Sequence, residues 1–183
     1  MQKLIIMTVM AVAMVASVSR GMVSADDEKK VDIKGLETFE TNALFLSNLR
    51  LAPENIKVEK GDTVTWKDDA LTSVPHTITI FDPKVLPVDF ATAYICNWDK
   101  RILGVDGPCL QFIDAHGGIP PTTPVVNAGR SGLDVAGDSI FLPLNGSVSA
   151  QVTAGPGTTL HYICIIHPWM QGSITVEEDR RRK

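Results

Sequence analysis

Apolar and polar residues alternate with period two along several short runs of the chain. The clearest run lies within residues 43–69, where the apolar positions are Ile56, Val58, Val64 and Trp66. Since successive side chains of a strand point to opposite faces of a sheet, this alternation predicts two half-buried strands. Residues 60–62, with the sequence KGD, predict the turn that joins these strands.

The same alternation returns in later parts of the chain. Residues 75–81 (PHTITIF) predict one strand, and residues 139–155, 158–166 and 172–177 predict the others. The Asn145-Gly146 pair lies between two alternating runs and predicts a hairpin turn. Many short strands, separated by turn residues and with almost no helix, predict an all-β sandwich.

Between residues 82 and 138 the alternation fades, and proline and glycine become frequent. The sequence VDFATAYICNWDK within this segment predicts a short helix. We interpret residues 82–138 as an insertion that is looped outside the core. A segment of this length is unusual without structure of its own, so the helix and a stabilising cross-link are expected features of it.

The first 25 residues are typical of an export signal. Lys3 supplies a positive start, residues 4–18 form an apolar run of signal-peptide length, and residues 23–25 (VSA) fit the small-residue cleavage rule. We predict a signal peptide at residues 1–25; the alternative is an uncleaved membrane anchor. In both cases the domain is expected outside the cytoplasm, as a periplasmic, secreted or cell-surface protein.

The remaining chain divides into a flexible lead-in at residues 26–40, a domain at residues 41–178 that contains the insertion, and a basic tail at residues 179–183. One edge strand is expected within the charged stretch that opens the lead-in. The formal charge of −4 becomes −6 without residues 1–25, because these contain two basic residues and no acid. An acidic protein binds nucleic acid poorly, so we expect no nucleic-acid partner. We expect a monomer.

Three cysteines in an exported chain are an odd number, so one of them is expected to be unpaired. Cys96 and Cys109 flank a short loop of the insertion and are predicted to form a disulfide. Cys164 then remains. Because an unpaired thiol is a liability in an oxidising compartment, a metal bond is the favoured reason to keep it.

Metal-binding side chains recur every three residues in the stretch CIIHPWM, namely Cys164, His167 and Met170. His76, at the start of a predicted strand, is the candidate for a fourth ligand. Two histidines and one cysteine in a trigonal set, with a weak axial methionine, form an electron-transfer copper site. Structural zinc favours several cysteines and iron–sulfur clusters need more thiolates, so copper fits this donor set best.

Taken singly, each of these residues has an ordinary structural explanation. A lone histidine such as His76 is commonly a core or turn residue, Met170 alone would be packing, and Cys164 alone would be a buried thiol. Their joint presence favours copper. The two remaining histidines, His116 and His161, are interpreted as surface or loop residues; the alternative is that one of them serves a second metal.

Three stretches, in this order, resemble cupredoxins, the small blue copper proteins that include plastocyanin and amicyanin: APENIKVEKGDTVTWKDD, VPHTI and LHYICIIHPWMQGSITV. The Cys-x-x-His-x-x-Met spacing is similar to that of the amicyanin ligand loop. The resemblance covers most of residues 41–81 and 139–177, and it does not cover the insertion. It implies a Greek-key β-sandwich with one type 1 copper ion at one pole, alternating between Cu(I) and Cu(II).

Carried onto this chain, the resemblance makes His76, Cys164 and His167 the strong equatorial ligands and Met170 the weak axial ligand. Thr77 is a departure, because relatives often have an asparagine there that braces the ligand loop, and a threonine hydroxyl has a shorter reach. We expect His167 to present a ring edge near the surface.

The resemblance implies an electron carrier that shuttles single electrons between redox partner proteins. We expect these partners to dock transiently near His167 and Trp169, where Pro75 and Pro168 would add apolar surface. One alternative is a small copper oxidoreductase acting on a nitrogen oxide such as nitric oxide or nitrite, which would need a second copper or an open coordination position. Another alternative is copper storage or delivery. Membrane association is expected only if residues 1–25 are retained.

Overall fold

The computed structural model describes residues 29–99, 101, 104 and 106–178. The predicted signal peptide at residues 1–25 and the basic tail at residues 179–183 lie outside the described residues. Within the described part of the chain, no helix has the length and apolar character needed to cross a membrane.

The described residues form twelve strands, two short α-helices and a 3-10 turn at Pro83–Val85. The strands are β1 (Lys29–Lys34), β2 (Glu37–Glu40), β3 (Leu44–Ser47), β4 (Arg50–Ala52), β5 (Asn55–Glu59), β6 (Thr63–Asp68), β7 (His76–Phe81), β8 (Val125–Val126), β9 (Ser139–Leu142), β10 (Ser147–Gln151), β11 (Thr159–Ile163) and β12 (Gln171–Glu177). The helices are α1 (Phe90–Ile95) and α2 (Leu110–Ala115).

Two sheets enclose the core. The smaller sheet has the strand order β10-β6-β1-β4 and the larger has the order β5-β12-β11-β7-β9-β8, while β2 and β3 form a separate hairpin. The chain crosses between the two sheets repeatedly, for example from β4 to β5, from β5 to β6 and from β9 to β10. This architecture confirms the predicted class, an all-β Greek-key sandwich.

The alternation in the sequence places one face of each strand in the core. Four apolar side chains of β5 and β6 are buried as predicted, namely Ile56, Val58, Val64 and Trp66. The turn between these strands is also where it was predicted, and its Gly61 has a φ of +98°, a conformation that favours glycine. Across the core, the rings of Trp66 and Tyr162 meet edge to face with centroids 5.9 Å apart.

The insertion covers the outer face of the larger sheet. Its predicted disulfide, Cys96–Cys109, is present and buried, and it packs with Phe81, Ile163 and Ile165 in a second apolar cluster. The predicted short helix is also confirmed, as α1. Because the insertion covers the outer face, all six residues of β7 are buried, on both faces of the strand.

Two parts of the insertion belong to the sandwich, which differs from the predicted loop outside the core. Strand β8 pairs with β9 at the edge of the larger sheet. Leu133 is buried in the main core and forms an isolated bridge with Val152. Strand β8 has only two residues, and Leu133 is a single apolar residue. Neither forms a periodic pattern, so the sequence did not predict them.

Strand β1 lies inside the smaller sheet, between β6 and β4. The sequence pattern predicts a flexible lead-in with one edge strand here, and a domain that begins at residue 41; the strand is present but lies in the interior of the sheet. Val31 and Ile33 are fully buried. Asp32, which lies between them, forms ion pairs with Lys30 and Lys34. With two apolar residues among many charges, the alternation was too short to predict an interior strand.

The Asn145-Gly146 pair does not form the predicted hairpin. It turns the chain from β9 in the larger sheet to β10 in the smaller sheet. Asn145 has a φ of +54°, and its backbone N–H donates to Oδ2 of Asp68 at 2.8 Å. The turn residues therefore set the local reversal of the chain, whereas the pairing of the next strand depends on contacts that are distant in sequence.

Candidate metal centre

Two neighbouring strands bring two of the predicted ligands to one end of the sandwich. Strand β7 begins with His76, and Cys164 directly follows the last residue of β11. Because β7 and β11 are antiparallel neighbours, the start of one strand lies beside the end of the other. This pairing brings together two residues that are 88 positions apart.

The third donor comes from the tight loop that follows Cys164. The backbone N–H of His167 donates to the carbonyl of Cys164 at 3.1 Å, and the N–H of Met170 donates to the carbonyl of His167 at 2.8 Å. The N–H of Cys164 in turn donates to the carbonyl of Met170 at 3.0 Å. These bonds form two successive turns, which explains the three-residue spacing of the motif.

The side chains of His76, Cys164 and His167 converge. The Cys164 sulfur lies 3.8 Å from Nδ1 of His76 and 3.5 Å from Nδ1 of His167. All three donor atoms lie within 4.8 Å of one another, and no side chain is more than 3% exposed. Metal–sulfur and metal–nitrogen bonds of about 2.3 and 2.0 Å, set about 120° apart, require a sulfur–nitrogen separation of about 3.7 Å. The two sulfur–nitrogen separations therefore match those of three ligands around one ion.

Met170 is also buried at this end of the sandwich. Its side chain is 1% exposed and belongs to the same core cluster as Cys164. Its backbone is hydrogen-bonded to both Cys164 and His167. The role of its thioether as a weak axial ligand stays a prediction.

Burial controls the protonation of the donors. Desolvation lowers the pKa of His76 and of His167, against the opposing effect of the carboxylates of Asp68 and Glu37. Desolvation also raises the pKa of the Cys164 thiol, which backbone hydrogen bonds partly oppose. The two imidazoles are thus held neutral, as metal binding requires, and the thiol is expected to lose its proton when a metal ion binds.

Each imidazole turns its other ring nitrogen toward a carboxylate that was not among the predicted site residues. Nε2 of His167 lies 3.4 Å from Oε1 of Glu37, and Nε2 of His76 lies 3.6 Å from Oδ1 of Asp68. Asp68 did carry a signal, because it occupies the buried phase of β6, where an acid is unusual. Glu37 carried none, since the placement of a separate hairpin sets its position.

The prediction that His167 presents a ring edge near the surface is wrong. The residue is 3% exposed, because Glu37 of the β2–β3 hairpin lies against Nε2. The Trp169 ring packs against the imidazole with centroids 5.4 Å apart. Trp169 is 44% exposed, so the indole connects the histidine to the surface.

Thr77 braces the ligand loop with two hydrogen bonds. Its backbone N–H donates to the sulfur of Cys164 over 3.4 Å, and its hydroxyl accepts the N–H of Ile165 at 3.0 Å. The hydroxyl of Thr79 also donates to the hydroxyl of Thr77 at 3.1 Å. Thr77 therefore braces the loop through these bonds, although relatives often have an asparagine at this position.

His116 lies in the turn that follows α2, as a loop residue, but it is buried and not at the surface. It is 2% exposed, with Nδ1 2.6 Å from the carbonyl of Thr123 and Nε2 2.8 Å from the hydroxyl of Ser139. Ser139 bonds to Thr79, so a polar chain links the insertion to the brace of the ligand loop. The local sequence DAHGG gave no sign of burial. His161 is half-buried on β11.

No family model matches the chain, and no curated protein matches it. Among solved structures, a purple cupredoxin from Nitrosopumilus maritimus is 19% identical, aligns over 82% of this chain and 100% of its own, and has a TM-score of 0.42. Oxidised plastocyanin from Dryopteris crassirhizoma is 20% identical over 81% of this chain and 99% of its own, with a TM-score of 0.36. Amicyanin from Paracoccus versutus is 12% identical over 83% of both chains, with a TM-score of 0.39.

These matched structures are cupredoxins, the class that the three sequence stretches resemble. At these identities and TM-scores the matches carry no argument about this chain, so its fold rests on the strand topology and the chemistry of the site on its donor geometry.

Proposed function

We propose that the chain binds one copper ion through His76, Cys164 and His167, with Met170 as a weak axial ligand, and carries single electrons. The supporting observation is the convergence of one sulfur and two imidazole nitrogens within 4.8 Å at a buried site. Such a set belongs to electron-transfer copper centres. When bound, copper supplies a one-electron Cu(II)/Cu(I) couple.

The part of the protein is to hold the donors still and to keep water away. His76 and Cys164 are fixed by the pairing of β7 with β11, and His167 is fixed by the turns of residues 164–170. Because the donors are buried and tied to the backbone, the site changes little in shape when the charge of a bound ion changes. This rigidity suits electron transfer.

The burial of the site weighs against the two alternative functions. A copper oxidoreductase acting on nitric oxide or nitrite needs an open coordination position, whereas His167 is covered by Glu37 and Trp169. Copper storage and delivery favour methionine-rich, exchangeable sites. The five methionines other than Met170 all lie within residues 1–22, outside the domain.

We further propose that a redox partner docks in the groove beside Trp169. The groove encloses about 700 Å³ between the β2–β3 hairpin and the start of the insertion. Phe45 and Phe90 line it and are 60% and 81% exposed, while Glu54 and Asp89 give it acidic groups. A small apolar surface with acidic groups, on an acidic chain, suits transient docking of a partner that has a basic rim.

We also propose that the protein acts as a monomer outside the cytoplasm. The Cys96–Cys109 disulfide supports this location, because structural disulfides persist in oxidising compartments.

The proposed function is tested by absorption and EPR spectra of the protein loaded with Cu(II), together with metal analysis. We expect one copper per chain and an intense visible band from thiolate-to-copper charge transfer, which bleaches reversibly on reduction. A colourless Cu(II) protein would overturn the copper assignment. Turnover of nitrite or nitric oxide without a partner protein would overturn the carrier role. The zinc-loaded protein is the control, because it has the same ligands and no visible band.

A further inference from the structure

We propose that Glu37 and Asp68 are positioning residues that hold the two ligand imidazoles and favour the oxidised form of the bound metal. This inference rests on the proposed function, since it concerns the same site. It adds a role for two acids that lie outside the ligand motif. One acid stands behind each histidine.

The contact between Glu37 and His167 is built by the hairpin. Oε1 of Glu37 lies 3.4 Å from Nε2 of His167, and Oε2 accepts the hydroxyl of Thr72 at 2.7 Å. The backbone N–H of Glu37 also donates to the carbonyl of Leu71 at 2.9 Å. Thr72 therefore holds the carboxylate itself, while the backbone bond fixes the strand that carries it. Its side chain is 11% exposed, so water weakens its charge only in part.

The contact between Asp68 and His76 is fully buried. Oδ1 of Asp68 lies 3.6 Å from Nε2 of His76, and both side chains are 0% exposed. The carboxylate is fixed by the backbone N–H groups of Ala70, at 3.1 Å, and Asn145, at 2.8 Å. Nε2 of His76 is a buried nitrogen with no hydrogen-bond partner among the described residues. At 3.6 Å the carboxylate acts on this nitrogen through its charge more than through a hydrogen bond.

The orientation of the rings explains what the carboxylates do. In both histidines Nδ1 faces the Cys164 sulfur, so a metal ion would take the lone pair of Nδ1. The ring proton then resides on Nε2, which is the atom that faces the carboxylate. An acceptor at this position fixes the tautomer, orients the ring and makes the ligand nitrogen more basic.

The same arrangement bears on the redox couple. Two negative charges near a water-poor site stabilise Cu(II) more than Cu(I), because the oxidised ion carries the larger positive charge. We therefore expect the pair to lower the reduction potential, relative to a site with neutral groups at positions 37 and 68. Because Glu37 belongs to the hairpin, the hairpin both covers His167 and sets its basicity.

The test compares Glu37→Gln and Asp68→Asn with two controls that remove the same charge nearby. Glu40→Gln changes an exposed acid on the same strand, and Asp69→Asn changes an acid whose carboxylate pairs with lysines. We expect Cu(II) affinity to fall by about 10- to 100-fold in the first two variants, with a smaller loss for Cu(I). Each tenfold change in the ratio of the two affinities raises the potential by about 59 mV.

Two outcomes overturn this inference. The first is a reduction potential of the Glu37→Gln variant that equals the reduction potential of the Glu40→Gln variant. If the visible band persists in both variants, this result leaves the proposed function intact. Asp68→Asn removes a carboxylate that accepts two backbone N–H groups; if this variant does not fold, Glu37→Gln carries the test.

A second measurement needs no copper. Nitrogen-15 NMR of the metal-free protein should place the His167 ring proton on Nε2. A proton on Nδ1 would set a nitrogen lone pair against a carboxylate and would overturn the inference even in a colourless protein.

Discussion

The backbone N–H of Thr77 donates to the sulfur of Cys164 over 3.4 Å, and the hydroxyl of the same threonine accepts the N–H of the next residue, Ile165. Thr77 also directly follows His76. One residue therefore connects the strand of the first ligand to the loop that carries the others. The hydrogen bonds of Thr77 therefore help to fix the position of the ligand loop relative to β7.

Replacement of Thr77 by valine should destabilise the protein by about 1–3 kcal/mol, because it leaves the buried N–H of Ile165 without its acceptor. Urea denaturation of the metal-free protein measures this loss. The visible band should persist, since the backbone N–H to the sulfur remains. Thr65→Val is the matched control, because it removes a hydroxyl that bonds to Ser149 on an exposed face, and it should cost less than about 0.5 kcal/mol. Equal losses of stability in the two variants would contradict the bracing role of the Thr77 hydroxyl.

Replacement of Cys164 by serine should abolish the intense visible band of the copper-loaded protein, because the charge-transfer transition needs a thiolate. The absorption spectrum at matched copper content measures this loss. A serine variant that kept the colour would show that the sulfur of Cys164 is not a ligand.

Removal of the Cys96–Cys109 disulfide, by replacing both cysteines with alanine, should lower the free energy of unfolding by about 3 kcal/mol. A cross-link over 13 positions restricts the unfolded chain by about that amount in the chain-entropy model. The visible band should remain, because the disulfide belongs to the outer cluster and not to the site. Loss of copper binding in a folded double variant would contradict the separation of these two clusters.

Replacement of Met170 by leucine should keep the copper and raise the reduction potential. The two side chains have similar volumes, so the core tolerates the exchange, while the loss of the thioether donor disfavours Cu(II) more than Cu(I). Voltammetry and metal analysis of the purified variant check both parts. Complete loss of copper would mean that Met170 is a strong ligand, and an unchanged potential would mean that it is none.

The metal-free protein should lose stability as the pH falls below about 6.5, the ordinary histidine pKa. Burial lowers the pKa of both His76 and His167 in the folded state. Between the ordinary value and the lowered values, the unfolded chain binds more protons than the folded chain. The free energy of unfolding therefore falls with decreasing pH, by up to about 1.4 kcal/mol per pH unit for each histidine.

Urea denaturation of the metal-free protein at pH 7, 6 and 5 measures this slope. His161→Asn is the matched control, because it replaces a histidine of β11 that lies outside the cluster. A variant with asparagine at both 76 and 167 should have a flatter slope. If its slope matched that of the unchanged protein, the two histidines would not be the groups responsible.

The strands were predictable wherever the alternation ran long enough. β5, β6 and β7 lie where the sequence placed them, because each buries two apolar residues in one phase, and β5 and β6 extend the same alternation across one turn. β1 was not predicted as an interior strand, since its two buried residues stand among charges. The Asn145-Gly146 turn was placed correctly in the chain, but its hairpin was wrong, because a turn does not specify the sheet of the strand that follows it.

The sequence by itself determined the local features of this protein: the short amphipathic strands and the three-residue spacing of Cys164, His167 and Met170, which successive turns of one loop produce. Only the tertiary structure decided which distant groups surround that loop. The approach of His76 depends on the pairing of β7 with β11, and the carboxylates of Glu37 and Asp68 depend on where a hairpin and the end of β6 pack. The physical reason is that hydrophobic periodicity selects the face of a strand that is buried, whereas the neighbours of that face are set by pairing between segments that are far apart in the chain.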